Sequence, residues 1–297
     1  MFDTLRKLRE LSPAERETIA SGRFAGDFTP DALLDQMRTL ARFDASNDTT
    51  RASLKKWLWA IVLLTFFGFV ALKFLPHSDS LMRAVWIVPL LVLELLLVIA
   101  MGVTLWRLRN VDIGNNFRQV ALPFLALLKQ DMDPNQTITV RIDLRDALHA
   151  SKKKRSSTPY AQGAYHRVVD TTYLDPWFHG KTTLADGSRL MWTVHDTIVK
   201  STRTKKTASR KTKTKTRHVK RSQVAIALSV PNKVYGVARG PAQPGSKLAV
   251  AAGAKRSTIK LVRKLKTQSL DPIDPALLVD AVSGAYRQIT APARSAA

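Results

Sequence analysis

Residues 57–75 read WLWAIVLLTFFGFVALKFL, and residues 84–106 read AVWIVPLLVLELLLVIAMGVTLW. These two runs decide the architecture. Each holds a single charged residue, Lys73 near the end of the first and Glu94 midway along the second. At a rise of about 1.5 Å per residue they reach about 28 and about 35 Å, enough to cross a hydrocarbon layer of about 30 Å. Trp57, Trp59, Trp86 and Trp106 lie near the run ends, where indole rings favour the membrane interface. Eight residues, Pro76 to Arg83, join the runs. The expectation is a two-span helical hairpin over residues 57–106, with both chain ends on one side of a lipid bilayer.

The charge bias around the runs orients the hairpin. Arg38, Arg42, Arg51, Lys55 and Lys56 precede the first run, and Arg107, Arg109 and Arg118 follow the second; the turn side has Lys73 and Arg83. This predicts both termini in the cytoplasm of an integral membrane protein, in the inner membrane if the cell is bacterial. A carboxylate at mid-bilayer is costly unless protonated or partnered. Glu94 is therefore expected to meet Thr65 and the close-approach position Gly68 on the first helix, or a second copy of the chain.

Outward from the hairpin, the charge is unevenly spread. The formal net charge is +24; residues 1–56 contribute +1 and the hairpin nothing, so residues 107–297 carry +23. That predicts an anionic partner for the C-terminal region. There is no cysteine, which excludes disulfides, thiol catalysis and thiolate metal sites. Ahead of the hairpin, residues 1–56 read as a helical cytoplasmic segment. Ser12-Pro13-Ala14-Glu15 is a capping box that starts one helix, Gly22 and Gly26 end it, and Thr29-Pro30-Asp31 starts another.

Residues 107–135 read as a helical connector, ended by Asp133-Pro134. From Gln136 the apolar period becomes two: Ile138, Val140, Ile142 and Leu144 alternate with polar residues, the pattern of a half-buried strand. Further strands are expected at 168–174, 181–185, 188–204, 212–230, 248–252 and 258–265, with an Asp186-Gly187 hairpin turn. Asp274-Pro275 opens a terminal amphipathic helix, and residues 291–297 read as a disordered tail. The fold class is thus a membrane α-helical hairpin plus an α+β soluble region, whose residues 136–290 form a mainly antiparallel β domain with a terminal helix.

One surface is distinctive. Residues 200–221, KSTRTKKTASRKTKTKTRHVKR, hold eleven basic residues and no acid. Lys211, Lys213, Lys215 and Arg217 alternate with threonines, which puts them on one face of a strand. A return at 207–210 sets Arg203 and Lys205 on the facing strand, where like charges repel. Arg203, Lys205, Lys206, Arg210, Lys211, Lys213, Lys215, Arg217, Lys220 and Arg221 are the candidate polyanion-binding residues. Lys255, Arg256, Lys260, Arg263, Lys264 and Lys266 extend the basic surface. No aromatic residue is interleaved in the run, which offers no stacking platform for bases.

No catalytic, cofactor or metal motif emerges. The six histidines lack metal-ligand spacing, and Gly180-Lys181-Thr182 lacks the first glycine of a phosphate loop. Adjacent His195 and Asp196 point to opposite faces of a strand. The sequence therefore predicts a non-enzymatic, membrane-anchored adaptor or scaffold that needs no cofactor. Its partner is an anionic lipid surface, a nucleic acid or an acidic protein. The alternative is a subunit of an oligomeric transport or channel assembly that uses Glu94.

Overall fold

The computed structural model describes residues 2–74, 80–206, 209, 211–241 and 244–290, with only the backbone of residues 2–5, 68, 69, 71–74 and 80–88. The chain forms two compact units. One comprises Met1–Ala20 with Thr39–Asp112, the other Ser21–Arg38 with Ile113–Ala297.

The first unit is helical: α1 (Phe2–Glu10), α2 (Pro13–Ser21), most of α3 (Pro30–Phe74) and α4 (Ser80–Asn110). The capping box at the start of α2 forms as the sequence predicts. Ser12 N–H donates to Glu15 Oε2 at 2.8 Å, and Glu15 N–H donates to Ser12 Oγ at 3.2 Å. The helix opened by Thr29-Pro30 runs unbroken into the first apolar stretch, because no Gly or Pro interrupts 31–67. α3 and α4 pack antiparallel: Leu54, Leu58 and Ile61 meet Met101, Leu105 and Leu108, and Asn47 Nδ2 donates to the Leu108 carbonyl at 3.1 Å.

Within α4, Pro89–Asn110 has a mean hydropathy of 2.2, and only 6% of its most apolar window is buried. Among the described residues it is the one helical segment long and apolar enough to cross a membrane. In the 57–75 run, the side chains of residues 68, 69 and 71–75 lie outside the described set, as does the turn at 76–79.

The second unit is built on a nine-stranded antiparallel sheet. Its strands are β1 (Arg23–Phe28), β2 (Ile138–Asp143), β3 (Lys153–Ser156), β4 (Tyr160–Gln162), β5 (Tyr165–Thr183), β6 (Arg189–Lys206), β7 (Thr212–Pro231), β9 (Ser246–Ala251) and β10 (Arg256–Thr267). The main order is β1-β2-β5-β6-β7-β10-β9, with β3 and β4 paired to the first part of β5. β8 (Gly236–Val237) and β11 (Ile289–Thr290) form a separate two-stranded ladder. The strands expected at 168–174 and 181–185 are one strand, β5, bent by a bulge between Asp175 and Phe178. The Asp186-Gly187 turn forms as expected, with Gly187 at φ +77°.

The period of two assigns the faces. Leu190, Trp192, Val194 and Ile198 of β6 are fully buried, as are Val224, Ile226, Leu228 and Val230 of β7. All are even-numbered, so they share one face. α5 (Leu122–Leu128), the π-helical turn before it at Phe117–Ala121, and α6 (Ala276–Tyr286) supply the apolar groups of this inner layer. Phe124 packs edge-on against Phe178 and Trp192 at 5.9 and 5.5 Å. Gly180, opposite Trp192, leaves room for the indole, since a Cβ there would sit 2.1 Å from it.

Candidate polyanion-binding face

The odd-numbered residues of β6 and β7 form the other, outer face. None on β7 is buried, and on β6 only Ser201 is. The register of β6 with β7 pairs residues of equal parity and sets basic residues opposite one another. Lys205 faces Lys213, Arg203 faces Lys215, and Ser201 faces Arg217. Thr204 and Thr214 alternate with them on the other face, their hydroxyls 3.4 Å apart. From Thr212 to Arg217 both faces are exposed, so the hairpin tip extends past the packed core. The Arg203 guanidinium lies 5.8 Å from the Tyr165 ring centroid. β5 thus supplies an aromatic group that the basic run itself lacks.

The basic face continues down the sheet. Arg221 stands opposite Lys266, Gln223 opposite Lys264, and Ala227 opposite Lys260. Along the outward-facing positions of β6, β7 and β10 no acidic residue occurs. Arg263 departs from the expected surface, since its odd number on β10 pairs it with inward-facing Val224, and it lies 3.6 Å from Asp280. Arg256 is also committed to the fold, donating to the Gly187 and Ser229 carbonyls. Lys211 is exposed beside the turn, Lys206 is exposed opposite Thr212, and Arg210 lies outside the described residues.

Lys220 is a correction to the sequence reading. It is even-numbered and turns inward, 1% exposed, with Nζ 3.2 Å from Asp196 Oδ2 and 2.8 Å from the Asp271 carbonyl that accepts its hydrogen bond. The alternation that carries Lys213 and Lys215 outward carries Lys220 into the core. It cannot meet an external anion in this fold.

Lys220 belongs to a buried ionic layer that the sequence did not reveal. Asp196 pairs across the ladder with Asp175. Lys152 Nζ lies 2.8 Å from Asp175 Oδ1 and 3.5 Å from Asp143 Oδ1, and Arg145 joins Asp143 at 2.6 Å. Burial pushes the Asp175 carboxyl up to about 6 against the pull of Lys152. Burial also acts to raise Asp143, but its hydrogen bonds with Arg145 and the charge of Lys152 hold it below the usual range. The side chains of Lys152, Asp175, Asp196 and Lys220 are at most 3% exposed, so no substrate reaches them unless the sheet opens.

His179 of β5, opposite Thr193, and His195 of β6, opposite Gln223, both lie on the outer face. His179 Nδ1 is 3.0 Å from Thr193 Oγ1. Burial, with Arg141 and Lys181 nearby, lowers the pKa of His179. In the helical unit, Thr65 Oγ1 donates to Glu94 Oε2 at 2.9 Å; the surroundings of Gly68 lie outside the described residues. Asp44, Asp48 and Asp112 bring carboxylate oxygens within 4.8 Å of one another. Arg51 already pairs with Asp112 there.

The described residues thus hold a unit of antiparallel helices and a unit built on an antiparallel sheet with one cationic face. Comparison with protein families, with curated proteins and with solved structures returns no match.

Proposed function

We propose that this protein is a membrane-anchored, non-enzymatic adaptor that captures a polyanion on the outer face of its sheet. The observation that carries the reading is the facing of Lys205 with Lys213 and Arg203 with Lys215. Like charges held opposite each other are unfavourable unless an anion neutralises them. The anchor is the two-span hairpin. Leu90, Val92, Leu93, Leu95, Leu96 and Ile99 are each more than half exposed, an arrangement suited to lipid and unfavourable in water. Trp57, Trp59 and Trp106 are exposed at its ends, and the basic flanks favour cytoplasmic termini.

The test uses the full chain in neutral nanodiscs and the variant Lys213→Gln/Lys215→Gln/Arg217→Gln/Arg221→Gln. Binding to duplex DNA and to anionic liposomes is followed across a salt series. Each phosphate contact contributes about −0.9 to the slope of log K against log salt for DNA, and roughly 1 kcal/mol per cation for a lipid surface. Loss of salt-sensitive binding in the variant supports the reading, and the stronger ligand identifies the polyanion. Equal binding by both proteins, or none at low salt, overturns it.

A second reading is a subunit of an oligomeric transport or channel assembly. Glu94 favours it, because a carboxyl bonded to Thr65 within an apolar helix pair is a costly feature. Two helices enclose no pore, so this reading requires an oligomer. Glu94→Gln would then change ion or proton flux in proteoliposomes; unchanged flux and assembly in Glu94→Ala would remove this reading.

A further inference from the structure

At the base of the hairpin, two rows of the ladder place donors side by side. Thr197, Arg221 and Lys266 face one another across β6, β7 and β10. His195, Gln223 and Lys264 form the next row on the same face. Together they line a shallow depression of about 330 Å³. Adjacent strands lie about 4.8 Å apart and successive rows about 6.8 Å apart, so one tetrahedral oxyanion at the centre is within reach of long side chains from both rows.

Ser222 and Leu265 complete the lining, and the chemistry of the six outward-facing side chains is one-sided. A guanidinium, two ammonium groups, an imidazole, a carboxamide and a hydroxyl all offer hydrogen-bond donors. No carboxylate lies among the six. Among the described residues, Arg221, Lys264 and Lys266 form no ion pair. Lys266 stands directly opposite Arg221, which repels until an anion lies between them. An arginine fork grips two oxygens of one anion, and lysines add point charge.

We infer that this depression binds a phosphate monoester dianion, carried by a small molecule or by a lipid head group. The hairpin tip spaces its cations along two strands, as suits an extended polymer. The depression gathers them around one point, as suits a single compact dianion. This inference rests on the polyanion reading of the same face, yet the two sites separate by mutation.

The experiment is calorimetric titration of the full chain in neutral detergent at low salt, with glycerol 3-phosphate and with dihexanoyl phosphatidic acid. Both probes are expected to bind, and Arg221→Gln or Lys264→Gln to weaken each at least tenfold. Lys213→Gln/Lys215→Gln should change the affinity by less than twofold while losing DNA or liposome binding. Arg221→Lys should keep the charge yet stay at least threefold weaker, because it lacks the fork. More than tenfold tighter binding of phosphatidic acid assigns the site to a lipid head group, and equal affinity to a free phosphate ester. Absence of binding by both probes overturns the inference and leaves the tip site standing. So does an equal loss in the tip variant and the Arg221 variant. Phosphate binding that survives when DNA and liposomes fail to bind overturns the polyanion reading alone.

Discussion

Lys220 and Arg221 are consecutive residues of one strand, and the two faces of the sheet use them differently. Lys220 is enclosed with Asp196 and accepted by the Asp271 carbonyl, and beside it Lys152 is shared between Asp175 and Asp143. Arg221 is exposed on a face whose neighbours across the ladder are Thr197 and Lys266. Inward cations are matched to carboxylates because an unpaired buried charge is unsustainable. Outward cations need no match within the fold, since water screens them. A surplus of unmatched charge on one face therefore suits something outside the chain.

The largest effect that sharpens this comparison is on stability. Asp196→Ala, which leaves Lys220 buried without its carboxylate, should cost about 3–5 kcal/mol. Lys215→Gln on the outer face should stay within about 0.5 kcal/mol. Urea unfolding followed by tryptophan emission measures both, and equal costs would break the distinction. Next in size is a pH effect. The folded-state pKa of Asp175 is raised from 3.8 to about 6, so the folded state holds its proton longer than the unfolded one. Stability contributed by this group therefore falls as pH rises from about 4 to about 6 and is level above, by roughly 2–3 kcal/mol. The lowered Asp143 works in the opposite sense, adding stability as pH rises toward the ordinary carboxylate range. Asp175→Asn should remove the decline between pH 4 and 6; an unchanged profile would contradict the assignment. The smallest effect is at the tip. Lys213→Glu places an acid opposite Lys205 and should stabilise the chain by about 0.2–1 kcal/mol while weakening polyanion binding. Stability and binding falling together would mean that Lys213 serves the fold instead.

Much of the sheet was legible from period-two alternation alone. It located β2, β6, β7 and β10, with the Asp-Gly dipeptide marking the turn at 186–187, and it fixed the outward direction of Lys213, Lys215 and Arg217. The same parity already turned Lys220 and Arg263 inward, but grouping the basic run by charge density hid it. β1 was missed because Gly26 sits within it, and its partner β2 lies more than a hundred residues away. A strand defined by a distant partner leaves little local trace. The buried ionic layer joins residues 143, 145, 152, 175, 196 and 220 from separate elements, and the donor depression joins rows from three strands. Neither follows from local spacing. Register decides both.

The most direct test of the account is a lysine footprint of the full chain, by acetylation read out with mass spectrometry, with and without duplex DNA or anionic liposomes. The account predicts that Lys152 and Lys220 stay unmodified throughout. Lys213, Lys215, Lys264 and Lys266 should react in the free protein and become protected by the ligand, while Lys233, exposed in the turn that follows β7, reacts in both. Acetylation of Lys220 as fast as Lys213, or protection falling on Lys233 and sparing the outer face, would contradict it.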